Sequence, residues 1–156
     1  MLYFAYGSNL DPVQMKQRCP GAEIVGPARL PDHRLCFPRR SPIRLCAVAS
    51  VEPHPGSVVH GVLYEVGEAD MARLDAREGY DPVRPDAAHR YRRVGISVLG
   101  PDDAAMVAEV YIAVPEPEPG LPSPDYMRHI IDGALAHAFP EDYLALLRGI
   151  PVTAAD

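Results

Sequence analysis

Two short stretches of this chain hold residues whose types and spacing can do chemistry. The first is Tyr6-Gly7-Ser8-Asn9-Leu10. It follows an apolar, aromatic run from Leu2 with strand character, and it precedes Asp11-Pro12, which reads as a helix start. A strand that breaks into a Gly-Ser-Asn turn and then a helix gathers backbone N–H groups about one point, and such a point suits an anion or a developing oxyanion. The same residue types also build plain structural turns, and the turn alone does not choose between the two.

The second stretch centres on Glu78. On a helix beginning at Glu68, it lies four residues after Leu74 and seven after Met71, so its carboxylate falls on the apolar face. It has no local partner: Asp75 and Asp81 stand three residues either side, Leu74 and Pro82 four either side, and Arg73 and Arg77 lie on other faces. Inward placement, neighbouring acids and the negative end of the helix dipole all predict a raised pKa. That is the property of a carboxylate working as general base and acid near neutral pH. The competing reading is a frayed helix end with Glu78 in solvent.

Other candidates carry less. His33, His54, His60, His89, His129 and His137 form no His-Glu-x-x-His or His-x-His pattern, so no metal site is expected; His129 and His137 fall on the polar side of a late helix and read as solvated. Cys36 and Cys46 sit in apolar segments and read as core thiols. Tyr6-Gly7-Ser8-Asn9 has one glycine and no following Lys-Ser/Thr, so neither a P-loop nor a dinucleotide fingerprint is present and no cofactor is expected. Arg39, Arg40 and Arg44 cluster in one loop. They can clamp a carboxylate or simply be solvated, and the sequence leaves open whether they touch a substrate.

Composition narrows the partners. The 156 residues carry 15 basic and 21 acidic side chains, a net charge of −6, which disfavours a nucleic-acid surface or an anionic membrane. No apolar run approaches the roughly 20 residues that a membrane span requires. There is no basic leader segment, and the odd count of three cysteines reads as reduced thiols, so a cytoplasmic protein is expected. Oligomeric state is not legible.

The elements that must position the two stretches follow from the patterning. Asp11 caps a short helix with Pro12 at its first position. Strand candidates are Ala22–Gly26, His33–Phe37, Cys46–Val51 and Val58–Val66, with Glu52–Gly56 as a turn. Both sides of Val58–Val66 are apolar, which predicts a central strand covered on both faces. Glu68–Glu78 is a helix with acids in its first turn and Gly79 just past its end. Tyr91–Leu99 and Met106–Val114 are alternating strands around the turn at 100–103. Ser123-Pro124 opens an amphipathic helix, and a second helix follows Pro140 and stops at Pro151. Six or seven strands and four helices predict an α+β fold: a small, mainly antiparallel, β-barrel-like sheet with flanking helices. Residues 1–151 read as a single domain and 152–156 as a tail.

Taken as a pair, Tyr6-Gly7-Ser8-Asn9-Leu10 and Leu74-Asp75-x-x-Glu78-Gly79 resemble the gamma-glutamylcyclotransferase, or AIG2-like, family. Val62-Leu63-Tyr64-Glu65-Val66 is similar to the family's strand before the acidic helix, and Ser123-Pro124-Asp125-Tyr126 to the start of its pocket-closing helix. The resemblance implies a small α+β barrel with a pocket at one end and no metal or cofactor. It implies that the loop of Tyr6, Gly7, Ser8, Asn9 and Leu10 binds a γ-glutamyl group, that Glu78 is the catalytic acid/base, and that Tyr6, Tyr111 and Tyr126 line the pocket. The implied activity releases 5-oxoproline from a small γ-glutamyl amide or peptide. The alternatives are a γ-glutamyl-amine or γ-glutamyl-protected intermediate as substrate, or a non-catalytic small-molecule-binding module. The chain departs from the family pattern at Tyr80–Arg90, a longer loop bearing Arg and Pro; Tyr91 at its end is a further pocket candidate.

Overall fold

The computed structural model describes residues 1–85 and 89–154. Part of the Tyr80–Arg90 loop and the end of the tail therefore lie outside the described residues. The elements are β1 (Leu2–Ala5), α1 (Pro12–Arg18), β2 (Glu23–Ser41), β3 (Cys46–Glu65), α2 (Glu68–Glu78), β4 (Tyr91–Leu99), β5 (Ala105–Ala113), α3 (Pro124–Ala136) and α4 (Glu141–Arg148). The strands close into a barrel in the order β1-β3-β2-β4-β5. Pairing is antiparallel except between β1 and β5.

The barrel contains five strands rather than six or seven. The separate candidates before residue 42 are one strand, β2, and those between 46 and 66 are one strand, β3; together they form a long hairpin. Three prolines fall within β2: Pro27 follows the register shift between Ile24 and Gly26, Pro31 borders the one between Pro31 and His33, and Pro38 lies inside the one between Cys36 and Arg39, and at such irregularities a strand tolerates a missing donor. The Glu52–Gly56 segment is no turn between strands. Between the pairs Pro31↔Val58 and His33↔Pro53, residues 54–57 stand opposite Asp32 alone. Asp32 adopts φ +57°, and its carboxylate accepts from the N–H of Gly56 at 2.9 Å.

The barrel has two parts. β1, β3 and β2 form one ladder and the β4–β5 hairpin another. They meet at two seams with one registered pair each, Tyr3↔Glu109 and Arg29↔Leu99. Inside, Phe4, Leu30, Leu63 and Val98 are fully buried, and Met71, Leu74, Ile130 and Leu147 cover the barrel from the helices. No helix among the described residues is long and apolar enough to cross a membrane.

The helix boundaries follow from local chemistry. Asp11 caps α1 by accepting from the N–H of Val13 at 3.0 Å. Ser123 caps α3 by accepting from the N–H of Tyr126 at 3.1 Å. α2 stops at Gly79, whose φ of +73° is the left-handed conformation that glycine reaches without strain. His129 and His137 are not simply solvated: the first lies 2.7 Å from Asp11 Oδ2 and the second 3.1 Å from the Leu10 carbonyl. Both pin α3 against the start of α1.

Candidate active site

The turn after β1 is a single turn of 3₁₀ helix over Ser8–Leu10. Its closing bonds run from Leu10 N–H to Gly7 O (3.0 Å) and from Asp11 N–H to Ser8 O (3.1 Å). The preceding N–H groups, on Gly7, Ser8 and Asn9, have no acceptor within the turn, as at any helix start. Side chains hold the turn in place. Asn9, almost fully buried, donates to Tyr3 Oη at 2.9 Å and accepts from Arg18 at 2.7 Å. Ser8 Oγ accepts from Gln14 at 2.9 Å and from Arg44 at 3.3 Å. Arg44 also donates to Gln14 Oε1 at 2.8 Å and lies 5.1 Å over the Tyr126 ring.

This turn forms one wall of a cavity of about 100 Å³ at the end of the barrel. Tyr3, Tyr6, Tyr91, Tyr111 and Tyr126 line it, with Glu78 and the tip of the β2–β3 hairpin. Tyr126 Oη accepts from the Ala49 N–H at 2.8 Å, Tyr91 donates to the Ala49 carbonyl at 2.8 Å, and Tyr6 donates to the Tyr111 carbonyl. Burial is the main cause that raises all five phenols above their ordinary range, so near neutral pH they are neutral groups that shape the cavity.

Glu78 ends α2 facing this space. The residue is partly exposed because it opens onto the cavity, but protein surrounds its carboxyl group. Burial raises its pKa above the ordinary glutamate value. Against that act the guanidinium groups of Arg18, Arg77, Arg90 and Arg44, in that order. The expected repulsion from Asp75 and Asp81 is not among the main causes: the Asp75 carboxylate is turned away and neutralised, accepting from Arg93 at 2.7 Å and from Tyr111 Oη at 2.7 Å. Those two bonds tie α2 to β4 and β5 and fix the direction in which Glu78 points. Among the described residues Glu78 makes no hydrogen bond or ion pair within its own protein.

Of the residues singled out in the sequence, the fold brings Tyr6, Gly7, Ser8, Asn9, Glu78, Tyr111 and Tyr126 to this one cavity. Leu10 is elsewhere: it is fully buried beneath α3, where a Cβ on Gly133 would come within 2.4 Å of the Leu10 backbone. Arg39, Arg40 and Arg44, left open above, all line the cavity, as does Tyr91. Tyr3, Arg18, Arg77 and Arg90 were missed. Arg90 lies across the end of α2, 2.7 Å from where a Cβ on Gly79 would stand, and donates to the Arg77 carbonyl at 3.4 Å; only the absent side chain of Gly79 permits that path. Among the described residues no group of His, Cys, Asp or Glu is placed to hold a metal ion.

A second hollow lies outside the barrel between the β2–β3 hairpin and α4, lined by Leu35, Phe37, Tyr143, Leu146 and Ile150 among others.

Known proteins are similar to this chain in sequence and fold. The model of the AIG2-like family matches residues 58–147. The gamma-glutamylcyclotransferases of Homo sapiens and Mus musculus are each 29% identical over 153 residues, spanning 96% of this chain and 78% of theirs. A solved structure of a gamma-glutamyl cyclotransferase superposes with a TM-score of 0.88 at 27% identity, over 99% of this chain and 90% of that one.

Proposed function

Because the chain belongs to the AIG2-like family, we propose that it is a gamma-glutamylcyclotransferase that releases 5-oxoproline from a small γ-glutamyl amide or peptide. One observation carries the mechanism: Glu78, its pKa raised by burial, is the single carboxylate among the described residues lining the cavity, and the Gly7–Asn9 turn lines the same cavity.

The substrate's α-amine is largely an ammonium at neutral pH and must lose a proton before it can attack. Glu78 takes that proton. The freed amine attacks the substrate's own γ-carbonyl carbon, forming the C–N bond of a five-membered ring. The carbonyl oxygen becomes an oxyanion beside the Gly7, Ser8 and Asn9 amides. As the original C–N bond breaks, Glu78 returns the proton to the leaving nitrogen; the ring nitrogen then gives up its second proton through Glu78 to the released amine, so the products are 5-oxoproline and an amine that departs as an ammonium. The carboxylate needs a pKa high enough to accept a proton and low enough to be ionised beforehand. Burial pushes it up, and the nearby arginines limit the rise. Attack within one molecule leaves the protein mainly the task of holding a folded substrate, and orientation of this kind supplies up to roughly 7–11 kcal/mol.

The test is a panel of γ-glutamyl dipeptides, glutathione and γ-glutamyl-amines incubated with purified protein, with 5-oxoproline as readout. Release from at least one compound, abolished when the α-amine is acetylated, supports ring closure. Hydrolysis of the acetylated compound to N-acetylglutamate would indicate an ordinary amidase, and no product from any compound would indicate a binding module.

A further inference from the structure

The cavity is more cationic than ring closure on a γ-glutamyl group requires. The whole protein is acidic, with a net charge of −6. Yet among the described residues the cavity wall holds six arginines, Arg18, Arg39, Arg40, Arg44, Arg77 and Arg90, against the one carboxylate of Glu78. Among the described residues none of the six is joined to an acid in an ion pair, whereas the outer-surface arginines Arg29, Arg34, Arg73 and Arg128 each are. Arg18, Arg39, Arg44 and Arg90 are partly buried while Arg40 and Arg77 are exposed, and gathering like charges about a partly buried space is unfavourable unless an occupant offsets them. A γ-glutamyl head group cannot do so, because its carboxylate and ammonium sum to zero. The compensating charge has to come from the other side of the scissile amide.

The arginines divide into two groups. Arg18, Arg77, Arg90 and Arg44 are the charges acting most strongly on Glu78. Arg39 and Arg40 line the same cavity from the end of β2, beside the hairpin tip, whereas Glu78 lines it from the end of α2. Their own bonds leave capacity to spare. Arg39 Nη1 donates to the Val114 carbonyl at 3.1 Å, while its buried Nε has no partner. Glu116 accepts from the Arg40 backbone N–H at 2.6 Å, a bond that does not involve the guanidinium.

We propose that the amine released on ring closure carries at least two negative charges, as a dicarboxylate or a phosphate monoester, and that Arg39 and Arg40 hold the charge furthest from the amide. The inference rests on the cyclotransferase reading. It is tested with substrate pairs that differ in charge at nearly constant shape, with 5-oxoproline as readout: γ-glutamyl-glutamate against γ-glutamyl-glutamine, and γ-glutamyl-O-phosphoserine against γ-glutamyl-serine. The first pair reads the carboxylate and the second the phosphate, and the larger ratio identifies the source. In the favoured pair kcat/KM is roughly tenfold or more higher for the charged member, the expected scale of one added charge-assisted hydrogen bond. The gain lies mainly in KM and shrinks as salt is added. Arg40→Gln, at an exposed position, and Arg39→Gln each lower that ratio. Ratios near one in both pairs, with 5-oxoproline formed, overturn this inference and leave ring closure standing. No 5-oxoproline from any member overturns ring closure and this inference with it.

Discussion

The clamp on α2 makes a prediction that separates stability from catalysis. Asp75 sits one helical turn before Glu78, and its carboxylate accepts from Arg93 Nη1 at 2.7 Å and from Tyr111 Oη at 2.7 Å. The Arg93 and Asp75 side chains are 18% and 14% exposed. In Asp75→Asn one oxygen is retained and can still accept from Tyr111, but an amide N–H now faces a guanidinium, donor against donor. Arg93 keeps the longer contact to Glu109 at 3.5 Å and its place 5.5 Å over the Tyr80 ring. Exposed ion pairs contribute about 0–1 kcal/mol and breaking a fully buried one costs about 3–5 kcal/mol; at this burial the loss should be about 2–3 kcal/mol. At about 2–4 °C per kcal/mol for a chain of this size, the melting temperature should fall by about 5–10 °C. The Asp75→Ala/Tyr111→Phe double-mutant cycle, in which each change removes the shared bond, should show non-additivity of about 1 kcal/mol or more. Asp75 touches no reacting atom and acts as a positioning residue, so kcat should fall by about 10–100-fold as Glu78 loses its fixed aim, while KM moves less. Thermal denaturation and steady-state 5-oxoproline assays read both effects. An unchanged melting temperature, or strict additivity with Tyr111→Phe, would refute the clamp. A loss confined to KM would refute the positioning role.

Glu78→Gln should remove turnover by several orders of magnitude. Because folding raises the Glu78 pKa, its stabilising contribution is complete below the unfolded-state value and is lost as pH rises through the folded value. The variant should therefore melt like wild type near pH 4 and at or above wild type near pH 8; a difference that ignores pH would contradict the raised pKa. For the same reason kcat/KM should show an acid limb with its midpoint above that of an ordinary glutamate, and a limb at the ordinary value would remove Glu78 from the proton transfer. Gly133→Ala places a Cβ 2.4 Å from the Leu10 backbone, so α3 or the catalytic turn must shift. A loss of about 1–3 kcal/mol is expected from such overpacking, and wild-type melting would show that the two elements have slack.

The helices were legible because their ends carry local chemistry: Asp11, Ser123 and Gly79 act within a few residues of where they stand. The hairpin was not, because prolines that break a regular ladder are harmless at an irregularity, and the irregularity is set by the partner strand. Glu78 was legible as an inward carboxylate from its spacing to Met71 and Leu74. Its environment was misjudged, since the adjacent acid Asp75 points elsewhere and the charges that matter come from α1, from Arg77 beside it on α2, from the residue before β4 and from the hairpin tip. Tyr3 gave a usable signal, a polar tip within an otherwise apolar strand, and its hydroxyl is what Asn9 binds. Arg18, Arg77 and Arg90 gave none, because only the closing of the barrel brings those three stretches together.

The two seams of the barrel have a mechanical consequence. With one registered backbone pair at each, the sheet is two leaves laid edge to edge. Side chains at the cavity stitch them: Tyr6 reaches the Tyr111 carbonyl, Tyr91 reaches the Ala49 carbonyl at 2.8 Å, and Ser50 Oγ takes the Ala113 N–H at 2.9 Å. The lining of the cavity is thus also the thread of the seam. Removing a single hydroxyl from Tyr6 or Tyr91 both alters the floor on which a ligand rests and lets the leaves part, so a rate measured on such a variant reports contact and seam slack together.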